Sequence, residues 1–294
     1  MSPAPAEPQD DGAVWLSPFG GLGDALICSG VLKQVADAFP DRKYNLVRRT
    51  KYLPFLKGHP AIAAVGYPPK GAAIQGLAYW NLGQVGPGLQ RPFQILARSF
   101  GLTTPVEEAL YLPGDLEEDP ILDGFIPWKK RNILIAPASD SPRKMMHPEI
   151  WHRLTDLLLR DGALVLQAGR QHELHIRNTY SVLGLTTPRQ LVALVKKCDL
   201  VITPDNFIMH AAHLVGTPAV ALWGPTHHEV YGYPGQLHIQ APKGCGLGPE
   251  DSCYLPAAGG VSRYAEACPF KGKHCLDQLR PEEIHRAARE MLSR

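Results

Sequence analysis

The segment that decides the fold is LVITPDNFIMHAAHLVGTPAVALWGPT, residues 200–226. It begins with a short apolar, β-branched run at residues 200–203, which is typical of a buried parallel strand. A Pro-Asp pair interrupts the run, and Asp205 is expected to be the N-cap of the helix that follows. Gly216 should end that helix, and residues 219–223 should form a second buried strand. This order predicts an open α/β sheet, with an anion-binding helix start beside the carboxyl ends of its strands.

The composition bounds the class of protein. The chain has 294 residues, of which 45% are hydrophobic and 20% charged, as expected of a packed globular protein with two domains. Its 30 basic and 28 acidic residues give a net charge of +2, which argues against nucleic acid as a non-specific partner. Residues 1–12 are Pro-rich and acidic, unlike a signal peptide, and are expected to form a disordered leader of a cytoplasmic protein.

The same alternation of strands and helices occurs twice along the chain. A strand at residues 13–19, a helix at 24–39 and a strand at 44–47 predict a parallel βαβ unit. A second series starts with a strand at residues 132–136, after an acidic, proline-bearing linker at 115–128. The predicted fold class is α/β, with two doubly wound, Rossmann-like domains facing one another across a cleft.

Domain limits and two weaker elements complete the prediction. The N-terminal domain is expected to span residues 13–125, the C-terminal domain 126–280, and a terminal helix 281–294. A strand is predicted near residues 77–82, and a short helix is predicted after Glu173.

The first glycine-rich turn carries a carboxylate at a helix start. Its sequence is G-G-L-G-D, not the G-x-G-x-x-G of dinucleotide-binding proteins, and the second strand ends without an acidic residue that could hold a ribose. A dehydrogenase is therefore disfavoured. Asp24, the last residue of the turn, has two interpretations: a carboxylate that stabilises the helix dipole, or a general base beside a close-approaching substrate.

Four groups of residues resemble glycosyltransferase family 9, the ADP-heptose:lipopolysaccharide heptosyltransferase family. They are the turn ending in Asp24, Lys144 before a helix that starts with proline, the loop from Gly169 to Glu173, and the segment 205–226 with His210. The resemblance covers nearly the whole chain and is weak over residues 60–125. It implies a GT-B architecture, in which the C-terminal domain holds a nucleotide sugar, the N-terminal domain holds the acceptor, and the terminal helix crosses back to the first domain.

The resemblance also implies roles for individual residues. The reaction would be an inverting transfer, most simply of heptose from ADP-heptose to a glycan or lipopolysaccharide-core acceptor, and it would need no cofactor. Asp24 would be the catalytic base, and Lys144 would neutralise charge on the leaving diphosphate. The implied donor-binding residues are Glu173, Asp205, Asn206, Phe207, Met209, His210 and Thr226, and the implied acceptor-binding residues are Gly21, Gly23, Arg48 and Arg49.

Each assignment has an alternative that the sequence leaves open. Lys144 and Glu173 could be solvated surface residues, and His210 could be a core histidine. The cluster with Arg48 and Arg49 could be a solvated face, or it could bind an anionic acceptor with loose contact to a membrane surface. The oligomeric state is not indicated.

The family usually has Asp-Thr-Gly where this chain has Asp-Asn-Phe, ending at Phe207. The lost glycine is where backbone would approach a ligand most closely. Another nucleotide sugar, a protein or other acceptor, or a non-catalytic nucleotide-sugar-binding protein is therefore the alternative to heptosyl transfer.

Four cysteines lie in an irregular part of the chain near the C-terminus. They are Cys245, Cys253, Cys268 and Cys275, and they contain no C-x-x-C pair. Two interpretations stay open: a structural zinc or iron site, or reduced thiols that fix a loop to the core. Enzymes of the resembled family carry cysteines in this region, and some of these enzymes bind iron.

Overall fold

A computed structural model describes residues 14–83, 85, 88, 90–242, 268 and 274–294. The chain divides into two compact units. Unit 1 comprises Met1–Leu82 and Phe93–Asp115, and unit 2 comprises Gly83–Pro92 and Leu116–Arg294. Within the described part, no helix is both long enough and apolar enough to span a membrane.

Unit 1 is built around a parallel sheet of four strands. In chain order its elements are β1 (Trp15–Ser17), α1 (Leu22–Ala38), β2 (Tyr44–Val47), α2 (Leu53–Leu56), β3 (Ile62–Gly66), β4 (Ile74–Gly76) and α3 (Pro92–Ser99). The strands lie in the order β3-β2-β1-β4. Helix α1 follows β1 and buries Leu26, Val31 and Val35, so the predicted βαβ unit is confirmed.

Unit 2 carries a parallel sheet of six strands. Its elements are α4 (Pro120–Phe125), β5 (Asn132–Ile135), α5 (Pro148–Arg160), β6 (Leu164–Gln167), β7 (Tyr180–Ser181), α6 (Pro188–Lys197), β8 (Leu200–Pro204), α7 (Phe207–Val215), β9 (Ala219–Trp223), α8 (His228–Tyr231), β10 (Leu237–Gln240) and α9 (Pro281–Met291). The strand order is β10-β9-β8-β5-β6-β7. The predicted α/β class is confirmed in both units.

Burial explains why the central strands of unit 2 have continuous apolar sequences. Every residue of β5, β6, β8 and β9 is buried, as is usual for parallel strands covered by helices on both faces. Gly216 ends α7 in the left-handed conformation, with φ of 75°, as the sequence predicts. The terminal helix α9 packs on α5 and β9 in unit 2, and its crossing to the first domain stays a prediction.

Two predictions of local structure are wrong. The strand expected at residues 77–82 is displaced, because Leu77 donates the last ladder bond to Ser17 and the chain then enters a 3-10 turn at Tyr79–Asn81. The helix expected after Glu173 does not form, because the Gln167 side chain satisfies backbone groups of Leu174 and Ile176 instead. The linker expected at residues 115–128 stays a prediction, and it contains the short helix α4, which Asp119 caps.

Candidate functional site

Both sheets contain a point where the strand order reverses. In unit 2 the chain passes from β5 to β6 and β7 on one side, and then to β8, β9 and β10 on the other. In unit 1 it passes from β1 to β2 and β3, and β4 then returns to the opposite side of β1. Open parallel sheets bind ligands outside the carboxyl ends of the strands at such switch points. The predicted site residues can therefore be located relative to these two positions.

A buried ion pair occupies the switch point of unit 2. Lys144 ends a 3-10 turn (Pro142–Lys144) in the loop that follows β5, and Asp205 directly follows β8. The Lys144 Nζ lies 2.8 Å from Asp205 Oδ2, and the two residues are 9% and 6% exposed. The surface interpretation of Lys144 is therefore wrong.

The ion pair fixes the charge state of Asp205. Burial raises the pKa of the Asp205 carboxyl, but the adjacent Lys144 ammonium outweighs burial, and the net pKa lies below its ordinary value. Asp205 is consequently ionised at neutral pH, beside the positive end of α7.

The N-cap of α7 is Asn206 and not the predicted Asp205. The Asn206 side-chain oxygen accepts a hydrogen bond from the Ile208 amide at 2.9 Å. Its side-chain amide donates to the carbonyls of Ala136 and Ala138, at 3.1 and 2.8 Å. The Asp205 carboxylate instead contacts Lys144. Asn206 therefore caps the helix, and Asp205 forms the ion pair.

Three further donor-site candidates lie at or near the start of α7. Phe207 is the first residue of the helix and is half-buried. Met209 is fully buried, and its carbonyl accepts a hydrogen bond from the Gln236 side chain at 3.0 Å, so its predicted contact with a donor stays a prediction. Thr226 is 3% exposed, and its hydroxyl lies beside the Asp205 carboxylate, whose pKa it helps to lower.

His210 is a buried, neutral histidine. Burial lowers the pKa of its imidazole to about 4, although the Asp205 carboxylate opposes this shift. A hydrogen bond of 2.7 Å joins His210 Nδ1 to the Tyr233 hydroxyl, and the His213 ring stacks on Tyr233 with centroids 4.0 Å apart. His210 thus has a structural partner in Tyr233, as its core-histidine interpretation requires, while it also adjoins the ion pair.

Glu173 lies in the loop after β6, beside the switch point of unit 2. The Arg170 Nε donates to Glu173 Oε1 at 2.9 Å, and an Arg170 terminal nitrogen donates to Asp140 Oδ1 at 3.0 Å. A Cβ at Gly169 would approach Glu173 Oε2 to 2.0 Å, so glycine at this position permits the carboxylate to fold over the backbone. The Glu173 side chain is 13% exposed, which contradicts the solvated-surface interpretation.

Asp24 lies near the switch point of unit 1, in the first turn of α1 after β1. Its Oδ2 accepts a hydrogen bond from the Gly21 amide at 2.5 Å, and its Oδ1 accepts one from the Tyr79 hydroxyl at 2.8 Å. A Cβ at Gly20, where φ is 87°, would meet Asp24 Oδ2 at 2.2 Å. Glycine at residue 20 is therefore required by both the backbone conformation and the position of the carboxylate.

The acceptor-site candidates lie around this turn in unit 1. Gly21 is the N-cap of α1, and Gly23 is buried within its first turn. Arg48 and Arg49 are exposed just after β2, and the Arg49 guanidinium stacks over the Phe19 ring, 4.7 Å from its centroid. Exposure of the arginines is compatible with both interpretations of the basic cluster.

Two groups of potential metal ligands can be located in part. Cys245 and Cys253 lie outside the described residues, and Cys268 and Cys275 are half-buried, so a four-cysteine site stays a prediction. Ligand atoms of His227, His228 and Glu229 lie within 4.8 Å of one another. The two imidazole rings stack at 4.7 Å with 24° between their planes, so their in-plane lone pairs do not converge on one ion.

Sequence analysis missed several residues that complete the site. Tyr79, Arg170 and Tyr233 contact Asp24, Glu173 and His210, respectively. Tyr79 and Tyr233 lie 55 and 23 residues from their partners along the chain, in segments without a clear motif. Arg170 precedes Glu173 by only three residues. Arg143, which precedes Lys144, is also buried, at 3% exposed.

Comparison with known proteins places the chain in a family. The model for "Glycosyltransferase family 9 (heptosyltransferase)" matches residues 84–241, more than half of the chain. The lipopolysaccharide core heptosyltransferase OpsX of Haemophilus influenzae is 30% identical over 112 residues. That match covers 34% of this chain and 32% of OpsX, so the chain matches about a third of the length of this relative.

Solved structures share the fold. The family 9 glycosyltransferase of Veillonella parvula has a TM-score of 0.67 at 15% identity and covers 96% of this chain and 97% of its own. The dodecameric, iron-containing heptosyltransferase TibC of enterotoxigenic E. coli, in complex with ADP-D-β-D-heptose, has a TM-score of 0.70 at 16% identity, with 95% and 77% covered. The GT-B class expected from the sequence is thereby confirmed. The chain belongs to glycosyltransferase family 9, the heptosyltransferase family.

Proposed function

We propose that this protein is an inverting glycosyltransferase that moves heptose from ADP-heptose to a glycan or lipopolysaccharide-core acceptor. The observation that carries the proposal is the buried Lys144–Asp205 ion pair at the start of α7. The names of the relatives support it, because OpsX is a lipopolysaccharide core heptosyltransferase and TibC binds ADP-D-β-D-heptose.

The start of α7 has the properties of a diphosphate site. Backbone amides of the first helical turn and the helix dipole favour an anion. Lys144 adds an ammonium group, whose charge the Asp205 carboxylate partly offsets. Because Asp205 holds Lys144 in place, the ammonium needs little reorganisation when a diphosphate arrives.

Glu173 is proposed to hold the ribose of the nucleotide. An ionised carboxylate accepts several hydrogen bonds, so Glu173 can keep its bond to Arg170 and still accept from ribose hydroxyls. Asp140, on the other side of Arg170, keeps the guanidinium in position. His210, being neutral and tied to Tyr233, would contact the sugar or phosphates through its remaining nitrogen.

The reaction would require one base and one stabilised leaving group. The Asp24 carboxylate would take the proton of the acceptor hydroxyl as that oxygen attacks the anomeric carbon of the donor sugar. The bond from this carbon to the phosphate oxygen would break, and the nucleoside diphosphate would leave with the bonding electrons. Lys144 and the start of α7 would stabilise its charge, so the chemistry itself would need no cofactor.

The acceptor would be an anionic glycan or glycolipid that contacts unit 1. Arg48 and Arg49 offer two exposed cations near the Asp24 turn, and the Phe19 ring under Arg49 offers an apolar face for a sugar. A basic surface of this kind is attracted to anionic lipid headgroups, so peripheral contact with the inner face of a membrane, from the cytoplasm, belongs to the proposal. The four cysteines near the C-terminus are proposed as a structural zinc or iron site.

A second candidate function rests on the departure at residues 206–207. Both donors of the Asn206 amide are bound to backbone carbonyls, and Phe207 adds a bulky side chain at the first helical position. These residues favour a donor with another nucleotide or sugar, another acceptor such as a protein, or nucleotide-sugar binding without catalysis.

Asp24→Asn tests the proposed base. Because the amide cannot accept the proton, we expect transfer from ADP-heptose to fall by about 10²–10⁴-fold, while calorimetry detects unchanged ADP binding. Asp37→Asn, on the exposed face of the same helix, is the matched control and should retain full transfer. Transfer at the wild-type rate by Asp24→Asn would contradict the assignment of the base.

Calorimetry with ADP, UDP and GDP tests the donor. We expect ADP to bind most tightly. An equal affinity for all three nucleotides would argue against ADP-heptose, and tight binding without transfer would favour the non-catalytic alternative.

A further inference from the structure

A tyrosine from another strand is placed against the proposed base. Tyr79 begins the 3-10 turn that follows β4, and Asp24 lies in the helix that follows β1. β1 and β4 are parallel neighbours, so both residues lie beyond the carboxyl ends of the two strands at which the order of unit 1 reverses. The contact between them therefore crosses the position where an open sheet binds its ligand.

The two oxygens of the Asp24 carboxylate receive different donors. The Gly21 amide donates to Oδ2 at 2.5 Å, and the Tyr79 hydroxyl donates to Oδ1 at 2.8 Å. Because each carboxylate oxygen accepts a hydrogen bond from a different element, the carboxylate is fixed against rotation. We infer that Tyr79 is a positioning residue that holds the ionised Asp24 carboxylate in its reactive orientation. This inference rests on the proposed role of Asp24 as base.

Tyr79 is itself held in place. It is 5% exposed, and its ring meets the Trp80 ring edge-on, with centroids 4.9 Å apart. The backbone on both sides is fixed, because Leu77 donates to Ser17 of β1 and Leu82 donates to the Tyr79 carbonyl. The hydroxyl consequently loses little additional freedom when it binds the carboxylate, as positioning requires.

Other titratable groups of unit 1 bind the backbone of the same turn or lie along α1. The Tyr52 hydroxyl and the Lys51 ammonium donate to the Gly20 carbonyl, at 2.6 and 3.1 Å. Cys28 lies one turn further along α1, and burial, reinforced by the Asp24 charge, raises the pKa of its thiol. Tyr52 is therefore a matched control for Tyr79: it is 6% exposed and binds the same turn, but through a backbone carbonyl.

The test compares Tyr79→Phe with Tyr52→Phe in the full chain. With ADP-heptose and a lipopolysaccharide-core acceptor, we expect Tyr79→Phe to lower kcat about tenfold with KM unchanged, since one hydrogen bond to a charged group is lost. Loss of that bond also favours the neutral carboxyl, so the acid limb of the kcat profile should move up by about one pH unit. Tyr52→Phe should leave this limb in place.

A second measurement does not depend on activity. Carboxyl ¹³C NMR of protein labelled at aspartate, with the Asp24 signal identified by Asp24→Asn, should show the protonation midpoint moving up in Tyr79→Phe and not in Tyr52→Phe. Equal midpoints and equal kcat values in the two phenylalanine variants would overturn the positioning role. A wild-type protein that transfers no sugar would overturn the proposed function instead, and the NMR comparison would still decide the role of Tyr79.

Discussion

The two units stabilise a carboxylate at the same topological position by different means. In unit 1, the Gly21 amide and the Tyr79 hydroxyl, which are both neutral, donate to Asp24. In unit 2, a buried ammonium, Lys144, contacts Asp205. Neutral donors orient a carboxylate while leaving its negative charge in place, whereas a cation at 2.8 Å cancels that charge.

This difference matches the two tasks that the proposed reaction separates. A base needs a carboxylate in a fixed orientation, as the Gly21 amide and the Tyr79 hydroxyl of unit 1 provide. A diphosphate site needs a cation that is already in place, and in unit 2 the Asp205 carboxylate holds the Lys144 ammonium there. Similar sheets thus place a carboxylate beside different partners: neutral donors in unit 1 and an ammonium in unit 2.

Lys144→Met removes the cation of the buried ion pair in unit 2 and should have the largest effect on stability. It leaves the Asp205 carboxylate buried without its cation, and the loss of one partner of a buried pair costs about 3–5 kcal/mol. We expect the free energy of unfolding, measured by urea denaturation, to fall by this amount and ADP binding to be lost. Lys51→Met, which removes an exposed cation in unit 1, should cost less than about 1 kcal/mol.

The double variant Lys144→Met/Asp205→Asn separates stability from binding. Neutralising both partners removes the buried charge, so most of the stability should return, whereas ADP binding should stay weak because the ammonium is absent. Recovery of ADP binding in the double variant would show that Lys144 acts through the fold and does not contact the diphosphate.

The sequence predicted the parts of this comparison that depend on local pattern. The glycine turn before Asp24, the strand at residues 200–203 and the helix ended by Gly216 follow from apolar periodicity and backbone conformational preference. Lys144 and Glu173 were identified by family resemblance, not by physical reasoning, since on spacing alone both could be surface residues.

The contacts between strands were beyond sequence analysis. Tyr79 is 55 residues from Asp24 and lies in a segment predicted as a strand. The alternation of side chains along a strand predicts the sheet face on which Tyr79 lies, but not its contact with a residue of α1. The N-cap was misassigned because Asp205 and Asn206 have equal cap preference, and the choice depends on Lys144, 61 residues away. Long-range ion pairs and hydrogen bonds decide such positions, and a single sequence does not display them.

Acidification should weaken both units, and unit 2 more strongly, because burial lowers the pKa of His238 there as well as that of His210. Burial lowers the pKa of His59 in unit 1 and of His210 in unit 2 to about 4, against 6.5 for each imidazole when exposed. Below pH 6.5 these two histidines become protonated in the unfolded chain but stay neutral in the folded chain. The free energy of unfolding therefore decreases as the pH falls from 6.5 to 4. Between pH 7 and pH 5 we expect each histidine to cost about 2 kcal/mol in urea denaturation.

Single variants assign this loss to one unit. His59→Asn and His210→Asn should each reduce the difference in unfolding free energy between pH 7 and pH 5 by about 2 kcal/mol. The lowered pKa of Asp205 acts below this range, so it does not obscure the comparison. An unchanged pH dependence in either variant would show that the pKa of its histidine is the same in the folded and the unfolded protein.

The smallest expected effect concerns how the two helix starts are secured. In unit 1, the Asp24 carboxylate reaches back from within α1 to the amide of the N-cap Gly21. In unit 2, the Asn206 side chain caps α7 directly and also binds the Ala136 and Ala138 carbonyls beyond β5. We expect Asn206→Ala to lower the free energy of unfolding by about 2 kcal/mol, since it loses both the cap and these bonds.

Asn206→Ser distinguishes the cap from the links to β5. A serine hydroxyl can cap the helix but cannot span to the two carbonyls, so this variant should lose about 1 kcal/mol. If serine restored full stability, the links to Ala136 and Ala138 would contribute nothing. The helix starts of the two units would then differ only in the residue that supplies the cap, because the bonds from Asn206 to the loop after β5 would not stabilise the fold.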